Sequence, residues 1–495
     1  MHPPHQPTIS DTPRQKHPRG IYTLFFTEMW ERMSYYGMRA LLILYMVAAV
    51  EKGGMGLSET TASAIYGLYV CAVYLVALPG GWIADRLFGP RRAVLAGGII
   101  IALGHFTLAI QSQFSFFAGL LLVVLGTALL KPSASTLVGM LYPEGGARRD
   151  AGFTLFYMGV NLGAFFGPIV CGYLGERVNW HYGFGAAGVG MVAGVVQYAL
   201  TNRSLGDAGI HPASPSPTPL RHWGWVAGGV VALVGFASLA MAGVIPVDPV
   251  VLAHRAGMVI AGIAVAWFAW TWFFAGLTKE EEKHLVMIAV LVIASAIFWS
   301  GFEQAGSSMN LFGKRYTELH IGSWEMPAGW LLTVNAIMVM AFAPVFSWMW
   351  VALAKRGRLP SVVAKFATGL FFLGLGFVVM HFAADRALTH GKVLPVWLIS
   401  TYLLHTWGEL ALSPVGLSAM TKLAPPRLGA QVLGIWYLSS SLGNLIAGLF
   451  GGMMSSDNVG TMPTLFLEVA AFAGGVALLL AVAAPFLKRL IRGIE

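Results

Sequence analysis

Fourteen apolar runs divide this chain, near residues 21–50, 60–84, 92–111, 115–142, 151–175, 181–201, 223–244, 251–276, 285–311, 327–353, 363–383, 393–421, 428–454 and 463–487. Runs of about 20 apolar residues cross a hydrocarbon core of about 30 Å as helix. Lipid offers no partner to backbone N–H and C=O groups, so such runs must satisfy them internally. Barrel strands would alternate instead of staying continuously apolar. The low charge agrees: 11% of residues are charged, against about a quarter in soluble domains. Fibrous, disordered and disulfide-rich folds are excluded. The two cysteines, Cys71 and Cys171, lie inside apolar runs and offer neither a disulfide framework nor a zinc site.

Basic residues orient the spans. The face holding both termini carries 21 of the 31 Lys and Arg, and the other face seven: Lys52, Arg177, Arg255, Lys314, Arg315, Arg386 and Lys392. The positive-inside bias therefore places both termini in the cytoplasm. Residues 1–20 are Pro- and His-rich and read as a cytoplasmic tail, as does 488–495 at the other end. Residues 203–222 form a Pro/Ser-rich linker.

KPSASTLVGMLYP from Lys131 aligns with SPVGLSAMTKLAP from Ser413, both prolines matching at an offset of 282. FYMGVNLG from Phe156 aligns with WYLSSSLG from Trp436 at 280. Two parallel six-span halves, 21–201 and 285–487, produce this pattern when two further spans are inserted within 202–284. The expected fold is an all-α membrane protein of six plus two plus six helices.

Three cations, Arg32, Arg39 and Lys131, remain inside the apolar spans. A charge at mid-membrane costs several kcal/mol, so it normally lines a cavity with a partner. In EMWERMSYYGMR, residues Glu31, Arg32, Tyr35 and Arg39 follow Glu28 by 3, 4, 7 and 11. At 100° per residue they share one polar stripe, flanked by Tyr36. Intrahelical pairing of Glu28 with Arg32 is the bland alternative, but it leaves the second carboxylate and further cations without a place. The second half contributes the opposite sign: Glu303, with Trp299 a turn earlier, and Glu409, with Ser413 a turn later. A cavity walled by cations on one side and acids on the other suits a ligand with a carboxylate at one end and an ammonium at the other. Tyr74, Asn161 and Asn335 could hydrogen-bond amide groups between those ends, although helix–helix packing explains each of them equally well. A buried acid that loses its cation takes up a proton, so Glu28, Glu31 and Glu303 are proton-coupling candidates. No GxxxxGK[ST] motif supplies nucleotide energy. GFGAAG from Gly183 sits in a membrane span and reads as helix packing rather than as a dinucleotide loop.

GGWIADRLFGPRR, ending at Arg92, resembles the loop signature of the major facilitator superfamily. EMWERMSYYG is similar to the ExxER[FY] motif of its proton-dependent oligopeptide transporter (POT) family. FYMGVNLGAFFGP and GELALSPVGLS resemble two further signatures of that family, in its bacterial form with two inserted helices. The resemblance implies two six-helix bundles and a proton-coupled symporter of di- and tripeptides, with no enzymatic activity, no cofactor beyond protons and no nucleic-acid partner; a POT-like transporter of another solute, such as nitrate or an amino-acid derivative, and a proton-driven drug antiporter are the alternatives. It implies a monomer in the bacterial inner membrane. Glu28, Glu31, Arg32, Lys131 and Glu303 would then serve proton coupling, with Glu303 paired to Arg39 or Lys131 at an outer gate. Arg32, Arg39 and Lys131 would face the peptide carboxylate. Asn161, Asn335 and Glu409 would hold the amino end, and Tyr35, Tyr36, Tyr74, Ser413, Trp299 and Trp436 would line the pocket. Two departures stand out. Met33 replaces the usual aromatic of ER[FY], and Gly67 stands where animal relatives carry a histidine.

Overall fold

The computed structural model describes residues 16–144, 146–453 and 460–490. Most of the N-terminal tail and the last five residues lie outside that range, so the expectations placed on them are not addressed. Among the described residues, fourteen long helices follow one another. They are α1 (Gly20–Val47), α2 (Glu59–Phe88), α3 (Pro90–Leu108), α4 (Gln113–Met140), α5 (Arg148–Val178), α6 (Trp180–Thr201) and α7 (Pro219–Met241). The chain continues with α8 (Pro249–Phe274), α9 (Lys279–Tyr316), α10 (Ala328–Lys355), α11 (Val362–His390), α12 (Val396–Leu423), α13 (Gly429–Met453) and α14 (Met462–Leu490). The architecture is the major facilitator fold, six helices, two inserted helices and six more.

Local chemistry sets the ends. Ser58 caps α2 by accepting from the Thr61 N–H, and Ser361 caps α11 in the same way through Ala364. Thr278 and Glu281 form the reciprocal capping box that opens α9. Gly89, at φ 77°, turns α2 into α3, a conformation that disfavours any residue with a Cβ.

Twelve of the fourteen helices are apolar enough to span a membrane by length and composition alone. The exceptions are α1 and α12, the helices that carry the ExxER stripe and Glu409. Glu28, Glu31 and Arg32 on α1 are buried and Glu409 on α12 is half-buried, so these mid-span charges face protein rather than lipid.

In the first half α1 packs on α5 and α6, and α3 on α4. Small residues bring α5 against α1: a Cβ on Gly163 would stand 2.7 Å from the Met33 nitrogen, and one on Gly167 would stand 2.7 Å from the Gly37 nitrogen. The backbones therefore touch where EMWERMSYYG and FYMGVNLGAFFGP meet, which locks the α1 stripe in place. In the second half α11 packs on α12 and α14, and α9 on α13. Pro132 and Pro414 both lie inside continuous helix, so neither breaks its span.

The inserted helices stand outside both bundles. Helix α7 buries no residue, and α8 buries only Ala253, Ile260 and Thr271 against α2 and α13. Their apolar surface is therefore offered to lipid. The linker before them is pinned rather than loose: the Ser214 and Ser216 N–H groups donate to the Asp85 and Arg86 carbonyls, and the Arg91 N–H donates to Gly209 O.

The halves meet chiefly through α2 against α13 and α5 against α10. The bonds that join them cluster away from the face holding residues 16 and 490. A small hairpin, β1 (His320–Ile321) and β2 (Trp324–Glu325), lies on that sealed face between α9 and α10.

Candidate functional site

Helix α1 builds the first wall. Arg32 is buried, and its Nε lies 3.1 Å from Glu28 Oε1 while its Nη2 donates to Glu31 Oε1 at 2.9 Å. A second, very close contact joins Nε to Glu31 Oε2. Both carboxylates thus share one guanidinium, and the expectation that an intrahelical pair would leave the second acid unplaced is corrected: the side chain of Glu31 bends back onto its neighbour. Glu28 Oε2 remains buried without a hydrogen-bond partner among the described residues. The Arg32 guanidinium also lies 5.2 Å from the Tyr35 ring, and Tyr35 packs edge-on against Tyr36 with ring centroids 5.2 Å apart.

Two turns further along α1, Arg39 leaves its own half. Its Nη2 is ion-paired with Glu303 on α9 and its Nε donates to the Tyr66 hydroxyl on α2. Both side chains of the ion pair are at most 11% exposed. Of the two cations expected for Glu303, Arg39 is therefore the partner. Lys131 instead stands over the Tyr74 ring with Nζ 4.2 Å from its centroid. Among the described residues no carboxylate lies within ion-pair distance of it.

The opposite wall comes from α10 and α12. Asn335 Nδ2 donates to Glu409 Oε2 at 3.2 Å and to Thr406 Oγ1 at 3.0 Å. Ser413 is half-buried one turn beyond Glu409. Tyr36 lies within electrostatic reach of Arg32, Arg39, Glu303 and Glu409 together. Cations of one half and acids of the other thus share one neighbourhood.

Three expected residues sit less openly. Asn161 is buried and donates to the Tyr157 carbonyl of its own helix at 2.9 Å. Trp436 is 6% exposed and packs edge-on against Phe366. Trp299 is wedged beside Gly443, between Phe298 and Phe302, with its indole N–H buried and unpartnered. His405 is buried between Phe302 and Phe377 and belongs to the core.

Sequence reasoning missed Tyr66, which holds Arg39 on its second side, and Tyr69, whose buried hydroxyl has no partner. Tyr66, Tyr69 and Tyr74 fall on one broad face of α2, but that spacing alone does not separate them from packed core.

Beyond Arg39, further contacts seal the same face. Glu59 pairs with Arg315, Asn310 Nδ2 donates to Ala40 O at 3.0 Å, and Thr60 Oγ1 donates to Gly452 O at 3.1 Å. Arg177 lies 3.0 Å from Glu325, and its hydrogen bond, with the Lys314 charge nearby, holds the Glu325 carboxyl below the usual carboxylate range.

Known proteins resemble the chain throughout its length. A peptide transporter, YePEPT, of Yersinia enterocolitica is 43% identical over 462 residues, covering 91% of this chain and 90% of that one. A di-/tripeptide transporter of Lactococcus lactis subsp. cremoris is 34% identical over 87% of this chain and 88% of its own. Among solved structures, peptide transporter POT in complex with sulfate superposes with a TM-score of 0.89 at 38% identity, covering 97% of both chains. A POT family transporter in complex with 5-aminolevulinic acid gives 0.88 at 33% identity, covering 96% of this chain and 98% of the other. The family model for POT proteins matches residues 91–465. With relatives of this identity over nine-tenths of its length, the chain belongs to the POT family.

Proposed function

We propose that this protein imports di- and tripeptides together with protons, by rocking two six-helix bundles about a shared site. The observation that carries this reading is the charge arrangement around Tyr36, with Arg32 and Arg39 supplied by one half and Glu303 and Glu409 by the other. A zwitterionic peptide matches that polarity end for end. Its carboxylate would face Arg32, Arg39 and Lys131, the last having no carboxylate partner of its own. Its ammonium would face Glu409, which Asn335 orients, with Asn161 nearby. Tyr35, Tyr36, Tyr74, Ser413, Trp299 and Trp436 would shape the space between.

The names of relatives support the same substrate class, one being a peptide transporter and another a di-/tripeptide transporter. That a family member holds 5-aminolevulinic acid favours a second, wider reading. Any small molecule with an amine and a carboxylate would then compete for the site.

Proton coupling follows from sharing. Glu28 and Glu31 divide one guanidinium, so any movement that draws Arg32 toward a peptide carboxylate leaves a buried acid uncompensated. Such an acid is more stable protonated. Glu303 has the same option whenever Arg39 withdraws. Peptide, cation and proton thus compete within one network, and no bound cofactor enters the scheme.

We assign the face holding the termini to the cytoplasm, since 21 of 31 Lys and Arg lie there. In a bacterial inner membrane the sealed face is then the outer one, and the arrangement faces inward.

The test is uptake by the purified protein in liposomes under an imposed inward proton gradient. Labelled dialanine should accumulate, blocking its amino end should weaken competition, and Glu31→Gln should abolish gradient-driven uptake while sparing exchange. Accumulation indifferent to the gradient overturns symport.

A further inference from the structure

Glu176 is a buried acid that the peptide site leaves unused. It lies in the turn Leu174–Val178 that ends α5, and its carboxylate is 0% exposed. Every partner it has among the described residues belongs to the other half. Oε2 lies 3.0 Å from Lys314 Nζ and accepts the Ala328 N–H at 3.2 Å, while Oε1 accepts the Gly329 N–H at 2.9 Å. Those two backbone N–H groups sit where the chain enters α10, and a buried N–H without an acceptor is costly.

The neighbouring residue repeats the crossing. Arg177 pairs with Glu325 at 3.0 Å and donates to Met326 O at 3.5 Å, and Lys314 also lies 3.9 Å from Glu325. Glu176, Lys314, Glu325 and Arg177 follow one another as a string of alternating signs, two from each half. Trp330 Nε1 adds a further bond between the halves by donating to Ile169 O at 3.0 Å.

We infer that Glu176 is a second outer-gate residue, a positioning group whose carboxylate clasps Lys314 and the Ala328 and Gly329 amides and so sets how readily the outer face opens. This inference rests on the alternating-access reading above. The clasp is separate from Arg39 and Glu303. It lies beyond the peptide site, touches no group assigned to the substrate, and holds α10 where that helix starts.

The amide of Glu176→Gln retains an acceptor for one N–H but turns a donor toward the remaining N–H or the ammonium. Hydrogen bonds to a charged group are the strong ones, so the sealed state should lose about tenfold in population relative to the open one. Lys314→Met, which removes a side chain already 36% exposed, should shift it less because solvent screens that charge.

The experiment places spin labels on Val50→Cys and Leu394→Cys, exposed sites on the sealed face of the two halves, in the full-length purified protein. Distance distributions are compared with and without Glu176→Gln and Lys314→Met. A new longer distance, larger in Glu176→Gln than in Lys314→Met, is the expected result. If Glu176→Gln cannot be purified folded, Lys314→Met decides alone: it must add the longer distance, and an unchanged distribution overturns the clasp. A folded Glu176→Gln protein with the parent distribution overturns it equally. Labelled dialanine binding is measured on the same samples. Its absence in the parent would overturn the peptide reading, while the distances still judge the clasp.

Discussion

A single methyl group at Gly448 should prise the sealed face open. Gly448 on α13 faces Gly67 on α2, and these helices belong to opposite halves. An ideal Cβ on Gly448 would stand 2.5 Å from Gly67 Cα, 2.6 Å from Ser63 O and 2.8 Å from Gly67 N. Comfortable carbon contacts need about 3.5–4.0 Å. All three neighbours are backbone atoms, so no side chain can rotate away and the helices must part by about 1 Å. Overpacking of this kind costs about 1–3 kcal/mol. The cost falls only on the state in which α2 and α13 touch here, because an outward-facing arrangement separates them at this end. Gly448→Ala should therefore shift the inward–outward ratio about 5- to 150-fold toward outward. The assay is alkylation of Ser307→Cys, a buried position beside Gly451 at the seal, by a maleimide that cannot cross the membrane. The background lacks Cys71 and Cys171. Gly475→Ala on α14, where a Cβ would meet nothing within 4 Å, serves as the control. A folded Gly448→Ala protein labelled no faster than the control would refute the reasoning.

Three other outcomes follow from the same geometry. Glu303→Gln leaves the buried Arg39 guanidinium with neutral acceptors alone, the new amide oxygen and the Tyr66 hydroxyl, and breaking a buried ion pair typically costs about 3–5 kcal/mol. Its melting midpoint should fall below the parent's, and the joint variant Arg39→Met with Glu303→Leu should recover most of the loss; a joint variant less stable than the single one contradicts this. Lys131→Met should erase about tenfold of the preference for dialanine over its C-terminal amide, measured by competition, whereas an unchanged preference removes Lys131 from the carboxylate end. Glu325, outside the membrane-spanning helices, titrates below its ordinary 4.5 because Arg177 donates to it. A depressed carboxyl contributes fully above the ordinary value and loses its contribution only as pH falls through the lower one. Glu325→Gln should therefore loosen the sealed face by the same factor at about pH 5.5 and 7.5, as read by Ser307→Cys alkylation; a factor that collapses between them would show the sign to be wrong.

The spans, their number and the polar stripe of α1 were legible in the sequence because lipid imposes a crude rule on length and polarity that no local packing overrides. The inserted pair was legible as well, since residues 203–222 interrupt the apolar pattern and the internal offset exceeds one half. The pairing of charges was less so. Helical spacing placed Glu28, Glu31 and Arg32 on one stripe but not the pairing of Arg32 with the adjacent Glu31, whose reach depends on rotamer rather than on periodicity. Tyr66 was invisible for a similar reason: a tyrosine in an apolar span reads as core until Arg39 is found against its hydroxyl. The string of charges on the sealed face was hidden completely. Glu176, Arg177, Lys314 and Glu325 look like ordinary loop charges in sequence, and only the approach of α5 to α10 removes Glu176 from water.

One helix carries both ends of the cycle. Arg32 holds the two acids proposed to couple the proton, and Arg39, two turns along α1, belongs to the ion pair on the sealed face. Tyr35 and Tyr36 lie between them, with the Tyr36 ring 5.9 Å from the Arg39 guanidinium and the Tyr35 ring 5.2 Å from that of Arg32. Helix α1 is fastened to α5 through glycines without side chains to yield, so its backbone stays fixed and a pull on either arginine is taken up by the side chain, which leaves its acid partners behind. A peptide carboxylate that draws Arg32 or Arg39 toward it would weaken the hold on Glu28 and Glu31 at one end and on Glu303 at the other. Substrate, proton and gate need no separate relay when their cations share one stiff helix.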